Sequence, residues 1–479
     1  MDRSTTAGSE HRPSAHAERA AAVSVFGGRT PTRVGELSLE ERGIAPIEPS
    51  ARYGSAWRLF AVWFAPNVET SSIFLGAIAA SLGLGLAWGA FAIVLGTVLG
   101  AIPVALLATL GPRTGTAQLP LARLPFGQLV WLPALVQWLS AIAWDGLVGL
   151  FGAEALSTLV HLPFWLAACV VIGLEGLLAV LGYELVALAE SAASVLVGAA
   201  FIVLSVAILE HAHLTALSPG VHGSALLGGV VLMTTLSFSD AISWASYASD
   251  YARYLPTSTP PRSVAGWTFL GLVASYLWME GIGLAAGASL TTQTAQGVAH
   301  LVGGGALGAV ELVAMVLGAV VSNAMNDYTG SLAAQTAGLR LRRPLAAGIV
   351  MLAALALVLW LHSGTVESRF QDLLLFAGYW VAPFAAIVLV DAHRRGEGLA
   401  HDATGLLERT HRGWAAVVAL AGGFVVSIPF MNATGIVEGP VARWLDGGDT
   451  AYYVGFIAAG IIYLVLDRKR QRAVRSPAD

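Results

Sequence analysis

Apolar runs of about 20 residues recur along the chain, each long enough to cross a hydrocarbon layer of about 30 Å as a helix. Their centres fall near residues 69, 97, 143, 173, 197, 236, 277, 317, 352, 380, 422 and 458. Within lipid every backbone N–H and C=O needs a partner inside its own structure. The expectation is therefore an all-α membrane protein of twelve transmembrane helices. Composition agrees: 56% of the 479 residues are hydrophobic and only 12% are charged, with a mean hydropathy of +0.70, well outside the range of soluble domains.

The basic residues orient these spans. Eight Arg lie between residues 3 and 58, two (Arg113, Arg123) follow span 2, and two (Arg253, Arg262) follow span 6. Three (Arg340, Arg342, Arg343) follow span 8, four (Arg394, Arg395, Arg409, Arg412) follow span 10, and five basic residues occupy the tail from Arg468. With both termini inside, 24 of the 26 basic residues fall on the cytoplasmic side, and only Arg369 and Arg443 do not. Moving the count by one span scrambles this asymmetry, so the positive-inside rule supports both number and orientation. The first 52 residues, rich in Arg, Glu, Ser and Pro, contain no apolar core of a signal peptide and read as a disordered cytoplasmic tail. Residues 467–479 form the second cytoplasmic tail. The single cysteine, Cys169, permits no intrachain disulfide and reads as a small packing residue in span 4.

Polar residues interrupt the spans at a few places. The stretch 236–253, LSFSDAISWASYASDYAR, sets Asp240, Ser243 and Trp244 into what is otherwise lipid-compatible helix. A carboxylate at the bilayer centre costs roughly 2.5–3.5 kcal/mol on insertion scales, so such a group faces protein, water or a ligand. Span 1 is broken in the middle by WFAPNVETSS, where Pro66 removes a helical hydrogen bond beside Asn67, Glu69, Thr70 and Ser71. Span 3 carries Trp144 and Asp145 near its centre, too deep for an interfacial belt. In span 8, Asn323 and Asp327 lie four residues apart on one helical face, with Asn326 beside them. If the first ten spans form two halves of five, residues 53–210 and 211–395, each half begins with a polar-interrupted helix. That is the pointer to an inverted-repeat transporter with its site at discontinuous helices. Spans 11 and 12 (396–466) are assigned a structural role.

Nine acids lie inside the spans: Glu69, Asp145, Glu154, Glu175, Glu190, Asp240, Glu280, Glu311 and Asp327. No Lys or Arg lies within a span to pair with them, and unpaired buried carboxyls favour their protonated form, the condition for carrying protons. Most of the nine are read as neutral core groups.

Five segments resemble the nucleobase:cation symporter family, in its purine-cytosine permease branch: GPRTGTAQLPLARLPFG after span 2, LVQWLSAIAW in span 3, GYELVALAE opening span 5, SWASYASDYARYLP ending span 6 and SNAMNDYTGSLAAQ in span 8. The resemblance implies a leucine-transporter-like fold: a five-plus-five inverted repeat with two extra C-terminal helices, and alternating access around a midplane site. It further implies an aromatic sandwich for a flat base, with Trp144 in the span 3 position and Trp244 the span 6 candidate, or a pairing nearer Asp240. Ser322 and Asn326 match two span 8 positions that are usually Asn in the fungal branch, and Glu190 matches its span 5 acid. Two departures stand out. The position four after the span 3 Trp, usually an amide, is Val148, with Asp145 next to the Trp instead. Sodium-using relatives place hydroxyls before the span 8 asparagine, yet 311–321 contains none.

The expected function is import of a nucleobase or related heterocycle by proton symport. The alternative is a sodium-coupled or amine, allantoin or hydantoin carrier of the same fold. Substrate contacts are expected from Asn67, Trp144, Asp145, Asp240, Ser243, Trp244, Ser322, Asn323 and Asn326, and proton coupling from Glu69, Glu190 and Asp327. No His cluster at metal spacing and no nucleophile elbow points to an enzyme. No cofactor, metal or nucleic-acid partner is expected, and the partners are the solute, a proton and the lipid bilayer. The expected setting is the plasma (inner) membrane, as a monomer or weak homo-oligomer.

Overall fold

The computed structural model describes residues 44–181, 183–211, 216–287, 290, 294–339 and 343–475, leaving the side chains of 179–194, 211, 324, 325, 328, 343–347 and 468–475 outside the description. The first span is α1 (Arg58–Phe64) followed, after a turn, by α2 (Thr70–Ser81). Next come α3 (Gly85–Ala108), α4 (Trp131–Val160), α5 (Phe164–Leu181) and α6 (Tyr183–His211). A single 3-10 turn, Trp244–Ser246, separates α7 (Gly223–Ser243) from α8 (Ala248–Ala252). Three long helices follow, α9 (Pro261–Ala286), α10 (Gly305–Thr336) and α11 (Arg343–His362). The pair α12 (Val366–Gly378) and α13 (Val381–Arg395) meets at Tyr379 and Trp380, and α14 (Trp414–Ser427) and α15 (Ala451–Arg475) come last. A small antiparallel hairpin, β1 (Asn432–Ala433) against β2 (Val437–Glu438), joins the final two helices.

Among the described residues six helices are long and apolar enough to cross a membrane, and six further apolar helical segments of 10–17 residues are shorter. Among the described residues the outer helix faces are apolar, and the polar groups of the spans turn inward into a core that is itself largely apolar. On α3, Trp88, Phe91, Leu95, Leu99, Ile102 and Leu106 are exposed at steps of three or four residues, one continuous apolar face. In contrast Asn67, Glu69, Asp145, Glu175, Asp240, Glu280 and Asn323 are buried. That arrangement suits a lipid surround, where ionisable groups turn toward the bundle interior.

Small residues let the helices close up. A Cβ at Gly283 of α9 would stand 1.8 Å from the Ile73 carbonyl oxygen of α2, and one at Gly76 would stand 1.9 Å from the Glu280 carbonyl oxygen. The backbones of α2 and α9 are therefore in direct contact, as small-residue interfaces allow. This contact fixes the position of the broken first span.

Three expectations change. The stretch drawn as tail to residue 52 is held in its last part: the Ile47 N–H donates to the Gly115 carbonyl at 2.9 Å, and Arg52 donates to the carbonyls of Ile47 and Pro112 at 2.8 and 2.7 Å. Residues 1–43 lie outside the described residues. Cys169 is exposed on α5 rather than packed in the core. Arg253, grouped above with loop cations, is fully buried, its guanidinium 5.1 Å from the Tyr254 ring centre.

Candidate functional site

Pro66 lacks the N–H that would continue α1, so the chain passes through a 3-10 turn, Ala65–Asn67, into Val68 (φ −85°, ψ 75°) and extended Glu69 (φ −152°, ψ 172°). Glu69 then caps α2. Its carboxylate accepts the N–H groups of Ser71 and Ser72 at 2.7 and 3.1 Å, and both serine hydroxyls as well. A carboxylate at the first turn also matches the positive end of the helix dipole. Asn67 bridges both ways. Its Nδ2 donates to the Trp63 carbonyl at 2.7 Å, and its Oδ1 accepts the Trp244 indole N–H at 2.9 Å.

The second interruption is smaller than the sequence implies. Helix α7 continues through Ser243, so Asp240 sits in its last turn rather than in an unwound segment. The change of direction comes at the 3-10 turn and Tyr247. Ser243 Oγ donates to the Asp240 carbonyl at 2.7 Å, and Tyr276 of α9 donates to the same carbonyl at 3.2 Å. Trp244 Nε1 is 2.8 Å from the Tyr276 hydroxyl, and its ring meets Trp63 edge-on at 5.6 Å. The Tyr247 hydroxyl accepts from Gln137 Nε2 and donates to Asn326 Oδ1 at 3.0 Å.

Helices α4 and α10 supply the opposite wall. Trp144 and Val148, one turn apart, both line the cavity. Asp145 does not. About 100° separates consecutive helical residues, so its side chain turns behind the wall. There Asn326 Nδ2 donates to Asp145 Oδ1 at 2.9 Å and to the Ala141 carbonyl at 3.0 Å, while Asn323 Nδ2 donates to the Asp145 carbonyl at 3.1 Å. Ser322 Oγ donates to the Pro66 carbonyl at 3.2 Å, tying α10 to the first break.

These groups line one pocket, bounded by the two interrupted helices and by α4 and α10. Of the residues expected from sequence, Asn67, Glu69, Trp144, Asp240, Ser243, Trp244, Ser322, Asn323 and Asn326 line it. Asp145 and Asp327 are outside its wall, and the Glu190 side chain lies outside the described residues. Sequence reasoning missed Tyr276, Tyr247, Ser71 and Ser72, which complete the lining. A lone Tyr in an apolar helix reads as packing. The two serines carried a signal, following an acid at an N-cap position. Chemically the cavity offers two indoles and, at their margins, amide, hydroxyl and carboxyl groups, a set able to stack a flat solute and hydrogen-bond its edge.

A family model described as "Permease for cytosine/purines, uracil, thiamine, allantoin" matches residues 46–455. The chain belongs to this family. Within it the protein is a nucleobase:cation symporter relative of the purine-cytosine branch. Bacillus subtilis YxlA, provisionally named a purine-cytosine permease, is 28% identical over 456 residues, covering 91% of this chain and 97% of the relative. The purine-cytosine permease fcyB of Emericella nidulans is 27% identical, covering 90% and 89%. Mhp1, a nucleobase-cation-symport-1 family transporter solved in a closed conformation with bromovinylhydantoin bound, superposes with a TM-score of 0.67 at 18% identity, covering 91% of this chain and 97% of that one. An inward-facing Mhp1 structure gives 0.66. This permease is therefore a multi-pass membrane transporter sharing the Mhp1 fold, and its relatives are permeases, not enzymes.

Proposed function

We propose that the chain imports a planar nucleobase, or a closely related heterocycle, by proton symport through alternating access. The observation that carries this reading is the pocket itself, at the two interrupted helices, lined by Trp144 and Trp244 together with Asn67, Ser243, Asp240 and Asn323. A base stacks on the indoles, and the polar groups read its edge. Trp244 is pre-oriented by Asn67 and Tyr276, which limits the ordering cost of binding.

The reading includes twelve spans in a five-plus-five inverted repeat with two added C-terminal helices, both termini cytoplasmic. The six long and six shorter apolar helices support that count. Alternating access is supported by the likeness to a fold solved in closed and inward-facing forms. Proton coupling is supported by the acid-rich interior and by the absence of hydroxyls from 311–321. The Pro66 carbonyl at the first break is moreover engaged by Ser322. Glu69, with acceptor bonds from four donors at the cap, is reassigned to holding the break. Asp240, a carboxyl in the cavity, favours an amine-bearing solute as the second reading.

The deciding experiment is uptake by cells expressing the chain, with labelled cytosine, adenine, hypoxanthine, allantoin and a hydantoin, with and without an uncoupler and with and without sodium. Uptake of one base, collapsed by the uncoupler and indifferent to sodium, is expected. A strict sodium requirement overturns proton coupling. Competition by simple amines but not by bases overturns the substrate class.

A further inference from the structure

We infer that the coupling proton resides on the buried carboxyls of Asp145 and Glu175, behind the cavity wall, and that Asn326 connects it to the bound solute. The inference rests on the proton-coupled reading above and locates its ion. Both acids are buried, at 3% exposure each, on the neighbouring helices α4 and α5. Asp145 Oδ2, Glu175 Oε1 and Asn323 Oδ1 are all enclosed without a hydrogen-bond partner. Three buried oxygens without partners on three neighbouring helices, α4, α5 and α10, is an arrangement that native interiors avoid unless it has a use.

Among the described residues no salt bridge involves Asp145 or Glu175. Helices α4, α5 and α10 contain no Lys or Arg. The other titratable groups near Asp145 are Asp327 from α10 and the Tyr247 hydroxyl. From α11, among the described residues, Leu357 lies against Gly146, Val358 near Gly149 and Met351 against Gly176, and His362 stacks on Phe164 of α5. A cluster of carboxyls without an ion-pair partner cannot stay fully ionised in such a place, so it holds at least one proton. Among the described residues no group of three or more acids, His or Cys is arranged to hold a metal ion.

The Asn326 amide gives the cluster a connection to the solute. Asn326 lines the cavity and its Nδ2 donates to Asp145 Oδ1 at 2.9 Å, a bond that favours the ionised acid. Asn323 also lines the cavity, and its Nδ2 donates to the Asp145 backbone carbonyl at 3.1 Å. A base that draws the Asn326 amide toward itself removes a donor from the Asp145 carboxyl, and the demand of the cluster for a proton rises. By linkage, a bound proton releases the amide for the solute, so the two bind cooperatively. That is the thermodynamic requirement of symport. The proton enters from the outside solution and forms a carboxyl O–H bond, and that bond breaks when the proton leaves to the inside with the solute, which returns the protein to its starting state.

The test uses purified full-length protein with labelled cytosine as probe, and adenine where cytosine does not bind. In the wild type, affinity is expected to fall about tenfold per pH unit above the cluster's titration point, the limit for one linked proton. Glu175→Gln and Asp145→Asn are each expected to flatten this slope and to abolish accumulation driven by a pH gradient in proteoliposomes. Glu175→Asp, which keeps the acid, is expected to restore both, as a merely structural role would not require. Folded Gln and Asn variants that keep the wild-type slope and gradient-driven accumulation overturn the inference. Should the variants not fold, infrared difference spectra of the wild type decide, since cytosine binding must perturb a protonated-carboxyl band. Absence of that change also overturns it. A wild type that neither accumulates solute under a pH gradient nor binds with a pH slope instead removes the proton-coupled reading itself.

Discussion

Trp244 is fixed by its indole N–H, which reaches both Asn67 Oδ1 and the Tyr276 hydroxyl, whereas Trp144 is placed by the packing of its helix. If both rings stack on the solute, each contributes what a base loses when one aromatic face is removed, about 1–3 kcal/mol. Trp144→Ala should therefore weaken binding about 5- to 150-fold, and Trp144→Phe should recover most of it, as read from uptake kinetics or equilibrium binding. Normal uptake by the alanine variant would end the stacking assignment. Asn326 predicts differently, because its amide is already engaged with Asp145, the Ala141 carbonyl and Tyr247. Asn326→Ala removes a partner from three buried polar groups, and each one left unsatisfied costs about 1–3 kcal/mol. Its loss of uptake should come with a lowered thermal midpoint, whereas that of Trp144→Ala should not, and thermal unfolding beside uptake separates the two.

At the scale of elements, the break in the first span is useful only while α2 is held against α9. A Cβ at Gly283 would fall 1.8 Å from the Ile73 carbonyl oxygen, whereas one at Gly281 meets nothing within 4 Å. Gly283→Ala should therefore destabilise the protein by the about 1–3 kcal/mol typical of overpacking and reduce uptake. Gly281→Ala on the same helix should be neutral or slightly stabilising. Equal thermal midpoints in detergent for the two variants would contradict the close packing. The first break was legible in the sequence because its cause is local: Pro66 removes a donor, and Glu69 with Ser71 and Ser72 makes a cap. The second was misplaced because the stretch 236–253 contains neither Pro nor Gly. Its turn is set by partners distant in sequence, Gln137 and Asn326 meeting the Tyr247 hydroxyl. Asp145 was drawn into the cavity beside Trp144, whereas its carboxyl is taken up by Asn326 behind the wall, a partner that only the fold brings to it. Tyr276 gave no local signal, since only the fold brings it to Trp244.

For the whole molecule, symport means that the energy of the ion gradient appears as a solute gradient, and its size is fixed by stoichiometry rather than by any one contact. One proton moving down one pH unit is worth about 1.4 kcal/mol, enough to hold a neutral base at about a tenfold excess inside. Because a proton accompanied by a neutral base carries net charge, a membrane potential of 100 mV, negative inside, adds about 2.3 kcal/mol and a further factor of about 50. Proteoliposomes given a one-unit inward pH gradient at zero potential should therefore concentrate the base about tenfold, and an added potassium diffusion potential should raise the plateau. Exchanging sodium for choline should change neither value. Accumulation that ignores the pH gradient but follows sodium would leave the fold and the cavity standing and transfer the driving ion to sodium. Accumulation that ignores the potential would require a second charge to travel with the base.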